Sequence, residues 1–163
     1  KAVIEALSQV DTGATISELC DIAGKAFLDS VGASTGPLYA SAFQSASEAL
    51  SDRLNLDAVS VVVLIEAMTN GIAQRGGAKP GDKTMLDAWY LAAVKAKAKL
   101  DVQGSARDCL KAAALGAKSG ADATKGMVSQ LGRSKKLGQR TIGHVDPGAT
   151  SAVFIISAWL DAL

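Results

Sequence analysis

Apolar residues recur at intervals of three and four along most of the chain, the spacing that marks one face of a helix. Residues 1–8 read as the end of a helix. Thr15 and Glu18 form a capping-box pair, and Ile16, Leu19, Cys20, Ala23 and Phe27 then recur at helical spacing. A helix from about Pro37 to Leu50 follows. Asp57 caps the next, which reaches about Gln74 with Ala58, Val61, Val62, Ile65, Met68 and Ile72 inward. Its β-branched run imitates a strand, but the length of the pattern and the following Glu66-Ala67-Met68 favour helix. Thr84 opens a helix with Met85, Ala88, Trp89, Ala92 and Ala96 on one face. Ser105 with Asp108 caps a long helix holding Ala106, Cys109, Leu110, Ala113 and Ala117. The last helix carries Val153, Ile156, Leu160 and Leu163. No internal repeat, low-complexity tract or linker interrupts this layout, so the 163 residues fit one domain, 1–163.

Composition supports an all-α fold. Apolar residues make up 48% of the chain and aromatics only 4%, with alanine very common and only three prolines. Alanine loses the least entropy on entering a helix, and its small side chain lets helices approach closely. The net charge of +1 gives no global field for nucleic acid or an anionic membrane. The longest wholly apolar run, 61–65, is far too short to span a bilayer, and no signal peptide is present, so a cytoplasmic location is expected. Cys20 and Cys109 lie at apolar helix positions and are expected as buried free thiols; no Cys/His cluster suggests a metal site.

Candidate chemistry resides in three breaks between helices. They are Gly32-Ala33-Ser34-Thr35-Gly36-Pro37, then Arg75-Gly76-Gly77-Ala78-Lys79-Pro80-Gly81-Asp82-Lys83, then a stretch from about Gly132 to Gly148. Each is rich in glycine and leads into a helix N-terminus, where unpaired N–H groups and the positive end of the dipole favour anions. Three such termini in one domain are able to converge on one polyphosphate; ordinary turns and caps are the plainer reading. The second break is not a P-loop, because Asp82 separates Gly81 from Lys83-Thr84 and the preceding segment reads as helix rather than strand. Arg75, Lys79 and Lys83 stand there as phosphate contacts or as solvated charges. In and beside the third break, Lys125, Arg133, Lys135, Lys136 and Arg140 occur with no acid between Arg133 and Asp146, a local excess able to neutralise phosphate. The sole histidine, His144, reads as a hydrogen-bonded loop residue in preference to a phosphoryl carrier or general base.

Read as strings, three loops carry a resemblance. Gly32-Ala33-Ser34-Thr35-Gly36-Pro37-Leu38-Tyr39, Gly77-Ala78-Lys79-Pro80-Gly81-Asp82-Lys83-Thr84-Met85-Leu86-Asp87 and Gly138-Gln139-Arg140-Thr141-Ile142-Gly143-His144-Val145-Asp146-Pro147-Gly148-Ala149 resemble the signature loops of the nucleotide-binding domain of dihydroxyacetone kinases, in family order and spacing. The wording of the third is closer to the free-standing subunits of the phosphotransferase-system-dependent form than to single-chain ATP-dependent kinases. The resemblance implies an up-and-down antiparallel barrel of eight amphipathic helices, with the first helix missing from this sequence. It implies an adenine nucleotide (ADP or ATP) and Mg²⁺ as cofactors. It also implies two partners: a subunit that holds dihydroxyacetone, and a phosphohistidine-bearing phosphotransferase protein that rephosphorylates resident ADP.

Position by position, the resemblance places Ser34 and Thr35 on the phosphates and Gly76 and Met85 beside the adenine or ribose. It brings Arg133 to the nucleotide and closes Asp146, Pro147 and Gly148 over it. No residue of the chain is assigned as a metal ligand or catalytic group. The ligands for Mg²⁺ are expected in an acidic Gly-Asp-rich loop that precedes, in this family, the helix on which the chain begins, so the chain is expected to be N-terminally truncated and inactive alone. Two other readings stay open: the C-terminal domain of a single-chain ATP-dependent dihydroxyacetone kinase, and a non-catalytic nucleotide-sensing module that binds a transcription regulator.

Overall fold

Small residues set the spacing between helices, and the helices form two compact units. The computed structural model describes residues 1–11 and 13–163. The units are Lys1–Gly76 and Gly77–Leu163. All regular structure among the described residues is helical.

The first unit contains α1 (Ala2–Leu7), α2 (Ile16–Ser30), α3 (Thr35–Ala49) and α4 (Ala58–Gly76). Thr15 caps α2 in a full capping box, its side chain accepting from the Glu18 amide while the Glu18 carboxylate accepts from the Thr15 amide at 2.8 Å. These bonds hold the Glu18 carboxyl below its ordinary value. Asp57 caps α4, its carboxylate accepting from the Ser60 amide at 2.7 Å. Helices α2 and α3 run antiparallel. Ser17, early in α2, meets Ser47, late in α3, at 2.8 Å, while Phe27, late in α2, packs at a tilt against Tyr39, early in α3, with ring centroids 5.1 Å apart. Gly71 of α4 permits close crossing on α3, since a Cβ there would lie 2.5 Å from the Ser41 carbonyl oxygen. Of the predicted inward set of α4, Val61, Val62, Ile65, Met68 and Ile72 are buried, while Ala58, at the first helical position, is half-buried.

Two expectations in this unit need correction. Helix α3 starts at Thr35, two residues before Pro37, because a proline in the first helical turn has no amide to waste there. Leu19 is 38% exposed rather than inward, since the buried stripe of α2 runs through Cys20, Ala23 and Gly24 and Leu19 lies about 100° to one side of Cys20.

The second unit contains α5 (Met85–Asp101), α6 (Ala106–Ala123) and α7 (Pro147–Ala162), with short 3₁₀ segments at Thr124–Gly126 and Arg133–Thr141. Helices α5 and α6 are antiparallel and cross on glycine: a Cβ on Gly120, late in α6, would lie 2.2 Å from the carbonyl oxygen of Asp87, early in α5. Ser105 and Asp108 form the predicted cap of α6. Trp89 is fully buried, its ring centroid 5.9 Å from that of Trp159 on α7. Cys20 and Cys109 are both buried free thiols, and burial pushes the Cys20 thiol up to about 11. Among the described residues no helix is long and apolar enough to cross a membrane.

Candidate functional site

The second and third breaks form one hydrogen-bonded assembly in the second unit. Its foundation is the cap of α5. The Asp87 carboxylate is buried and divided between two amides, one oxygen accepting from Gly81 at 2.5 Å and the other from Thr84 at 2.8 Å. The Thr84 hydroxyl accepts in turn from the Leu86 amide at 3.2 Å. Gly81 enters this turn at φ 97°, in the left-handed region where only glycine is unstrained. Asp82 closes a tighter turn behind it, accepting from the Lys79 amide at 2.7 Å, and its carbonyl receives the Gln130 amide at 3.0 Å. Both carboxylates are therefore committed to the loop's own backbone.

Helix α6 ends at the foot of the third loop. Thr124, fully buried, donates to the Ala121 carbonyl at 2.5 Å and accepts from the Asp146 amide at 2.9 Å. The Gly143 amide donates to the Lys125 carbonyl at 2.7 Å, so the two ends of the loop close on each other. Between them, residues 133–141 form 3₁₀ turns broken at Gly138 (φ 54°), where the sequence pattern suggests only irregular chain. The buried Thr141 hydroxyl donates to Gly138 at 2.7 Å and accepts from the Ser129 amide at 3.1 Å, which fixes that kink.

Helix α7 begins beside α5. Asp146 is its N-cap, accepting from the Ala149 amide at 2.8 Å, and Pro147 occupies the first helical position. A Cβ on Gly148 would stand 3.3 Å from the Met85 Cβ, so the first turn of α7 rests on the first residue of α5. Two helix N-termini thus lie side by side, with their partial positive charges adding. Burial raises the Asp146 carboxyl above its ordinary value; the amides of Ala149 and Gly148 and the charge of Lys83 pull it down, and the nearby Asp87 pushes it up.

Of the candidate residues in this unit, the structure brings together Met85, Asp146, Pro147 and Gly148; Arg133 lies exposed on the intervening loop. Lys125, Lys135, Lys136 and Arg140 are exposed too. Among the described residues the ion pairs are Lys1–Glu5, Lys97–Asp101 and Lys118–Asp122, so none of these five cations has a carboxylate partner. Lys83 departs from its reading as a phosphate contact or a solvated charge. It is only 4% exposed, and its ammonium donates to the carbonyls of Thr124 at 2.5 Å and His144 at 2.6 Å. The His144 side chain is exposed.

In the first unit, Ser34 is exposed at the N-cap of α3, and its hydroxyl makes no capping bond. Thr35 follows at the first helical position. Gly36 is required there, because a Cβ would sit 2.0 Å from the Val31 carbonyl oxygen. Arg75 and Gly76 are exposed and belong to the last turn of α4 rather than to the break. The sequence named Lys83 for a different role, and it gave no sign of the parts played by Thr124, Ser129 and Thr141. The one signal for Lys83 was a cation wedged directly before an N-cap, and nothing distinguishes the three hydroxyls from loop residues in general.

Among the described residues no group of three or more His, Cys, Asp or Glu side chains is placed to hold a metal ion. Asp87 has both carboxylate oxygens on backbone amides, and Asp82 and Asp146 each hold one oxygen on an amide of their own turn.

The DAK2 domain family matches residues 1–161. The chain is 37% identical over 133 residues to the ADP-binding subunit DhaL of the PEP-dependent dihydroxyacetone kinase of Escherichia coli (strain K12), covering 82% of this chain and 63% of that subunit. It is 37% identical over 147 residues to the ADP-binding subunit DhaL of PEP-dependent dihydroxyacetone kinase 1 of Listeria innocua, covering 90% and 68%. The chain thus spans about two thirds of the length of these relatives. The dihydroxyacetone kinase of C. freundii superposes with a TM-score of 0.67 at 25% identity, over 91% of this chain and 24% of that one.

Proposed function

The chain belongs to the DAK2 domain family, and from that premise we propose that it is the adenine-nucleotide-binding part of a dihydroxyacetone kinase of the phosphotransferase-dependent kind. The observation that carries this reading is the joined second and third loops, which set the N-termini of α5 and α7 side by side, with five exposed cations that lack carboxylate partners on the chain between α6 and α7. Oriented amides and uncompensated cations suit a polyphosphate, whose transfer depends on positioning and charge stabilisation more than on a covalent protein group.

In this proposal the hydroxyls of Ser34 and Thr35, in the first unit, donate to phosphate oxygens. The Ser34 hydroxyl makes no capping bond that it would have to give up. Gly76 offers adenine or ribose a surface without a side chain; Met85, buried at the start of α5, is assigned to the same moiety. Arg133 brings a two-pronged cation to the nucleotide. Asp146, Pro147 and Gly148 close over it, the carboxylate of Asp146 remaining on its own helix cap. In the transfer, the bond between the terminal phosphorus and its bridging oxygen breaks. A new phosphorus–oxygen bond forms to a hydroxyl of dihydroxyacetone held by a partner subunit; the bridging oxygen keeps the electron pair and leaves on ADP, and the proton of the hydroxyl passes to solvent. A phosphohistidine protein then restores the terminal phosphoryl group of the resident nucleotide. When bound, Mg²⁺ would neutralise phosphate charge; its ligands are assigned to the acidic loop that the resemblance places ahead of α1.

The test is a coupled assay of the native protein that carries this chain, with the dihydroxyacetone-binding subunit and the phosphohistidine donor. Formation of dihydroxyacetone phosphate that depends on catalytic amounts of ADP supports the reading. Nucleotide binding without phosphoryl transfer in the complete mixture overturns the kinase assignment and favours a nucleotide-sensing module.

A further inference from the structure

We infer that Lys83 is a positioning residue, whose ammonium ties the third loop to the start of α5 and so sets the backbone that faces the nucleotide. The inference rests on the nucleotide reading above, and three observations carry it.

The first is burial: Lys83 is 4% exposed, in a residue type that seldom leaves water. The second is conformation. Lys83 sits at φ 60°, in the left-handed region that glycine occupies without strain, and the same turn already uses glycine at Gly77 (φ 62°) and Gly81 (φ 97°). A lysine standing there against its conformational preference points to a task for the side chain. The third is where the side chain ends. Its two acceptors, the carbonyls of Thr124 and His144, are the opposite ends of the third loop, one at the close of α6 and the other two residues before the cap of α7. One ammonium thus clasps both ends of the cationic loop from the α5 side. The Gly143–Lys125 bond and the bond from the Asp146 amide to Thr124 close the same neck from within.

This geometry separates a positioning role from direct phosphate contact. A phosphate contact needs an exposed ammonium with donors to spare. Here the head group is enclosed, and two of its three donors are taken by carbonyl oxygens. The loop that it clasps carries Arg133 and leads into Asp146, Pro147 and Gly148, so displacement of its ends displaces the proposed nucleotide contacts.

The experiment measures hydrogen exchange and ADP affinity together, on the native protein that carries this chain. The variants are Lys83→Met, Lys83→Arg and, as a control for loss of a surface lysine, Lys97→Met. In the unaltered protein the Gly143 and Asp146 amides should exchange as slowly as the first turn of α5; exchange at the rate of an open loop overturns the inference without any variant. In Lys83→Met those two amides should exchange about tenfold faster or more while the interior of α6 is unchanged. ADP affinity should fall about tenfold. Lys83→Arg, which restores donors, should recover part of both losses, and Lys97→Met should match the unaltered protein. Unchanged loop exchange in Lys83→Met overturns the inference. So does faster exchange with ADP affinity kept within about twofold. If the unaltered protein fails to bind ADP, the functional reading falls by itself, and the exchange data still decide whether the ammonium holds the loop.

Discussion

Substitution of Gly120 by alanine tests how the site loop is supported from below. A methyl group there would stand 2.2 Å from the Asp87 carbonyl oxygen, 2.8 Å from its carbon and 2.9 Å from the Ala88 Cα. All three are backbone atoms of α5, so no side-chain rotation clears them. Ordinary contact begins near 3.4 Å, and the two helices must part locally by about 1.2 Å. Overpacking of this kind costs about 1–3 kcal/mol, and a clash with backbone belongs at the upper end. Replacing glycine inside a helix returns about 1 kcal/mol of propensity, which leaves a net loss of about 2 kcal/mol. For a chain of this size the melting temperature should then fall by roughly 4–8 °C. Urea and thermal unfolding followed by circular dichroism measure both, with Gly126→Ala as the control, since a Cβ there meets nothing within 4 Å. The displaced residue is Asp87, whose carboxylate organises Gly81 and Thr84, so ADP affinity should weaken alongside stability. A Gly120→Ala protein as stable as the parent refutes the close α5/α6 crossing.

Cys20 should resist an aromatic disulfide reagent at pH 8 until the protein unfolds, because burial holds its thiol near 11 and leaves almost no thiolate; rapid labelling in the folded state contradicts its buried place in α2. Asp146 has a raised carboxyl pKa, so the stability linked to it is full below the ordinary value of 3.8 and lost as pH rises through the higher folded value. Asp146→Asn keeps an acceptor at the cap and should remove that falling limb from a stability–pH profile; an unchanged profile refutes the assignment. Glu18, Asp57 and Asp108 behave oppositely. Capping bonds hold their carboxyls low, and their contribution is present above the ordinary carboxyl value and lost as pH falls through the lowered ones. A triple variant to the corresponding amides should show a shallower acid limb in unfolding experiments.

What the sequence makes legible follows the range of the interaction involved. The caps at Thr15, Asp57, Thr84 and Ser105 are local, three-residue devices, and each starts its helix where the spacing places it. The β-branched run in α4 reads correctly as helix because its burial pattern has the helical period. Composition and spacing reach the all-helical architecture. They do not reach the clasp at Lys83, which depends on carbonyls 41 and 61 residues away and on a backbone conformation that lysine rarely adopts. The 3₁₀ turns over Arg133–Thr141 are equally hidden, since their stability comes from Thr141 reaching back to Gly138 and Ser129. The glycine contacts at Gly71 and Gly120 are tertiary as well, and in the sequence they look like weak points of good helices. The loop strings carry the functional resemblance because a phosphate-binding backbone needs particular glycines and caps in a fixed order.

Binding of an adenine nucleotide by these loops is decided by a calorimetric titration of the native protein with ADP, beside its Ser34→Ala and Arg133→Ala variants. Saturable one-site binding that weakens in both variants is the expected result. Ser34→Ala should show unchanged thermal stability, since its hydroxyl caps nothing. Absence of ADP binding, or equal affinity in all three proteins, contradicts nucleotide binding by these loops.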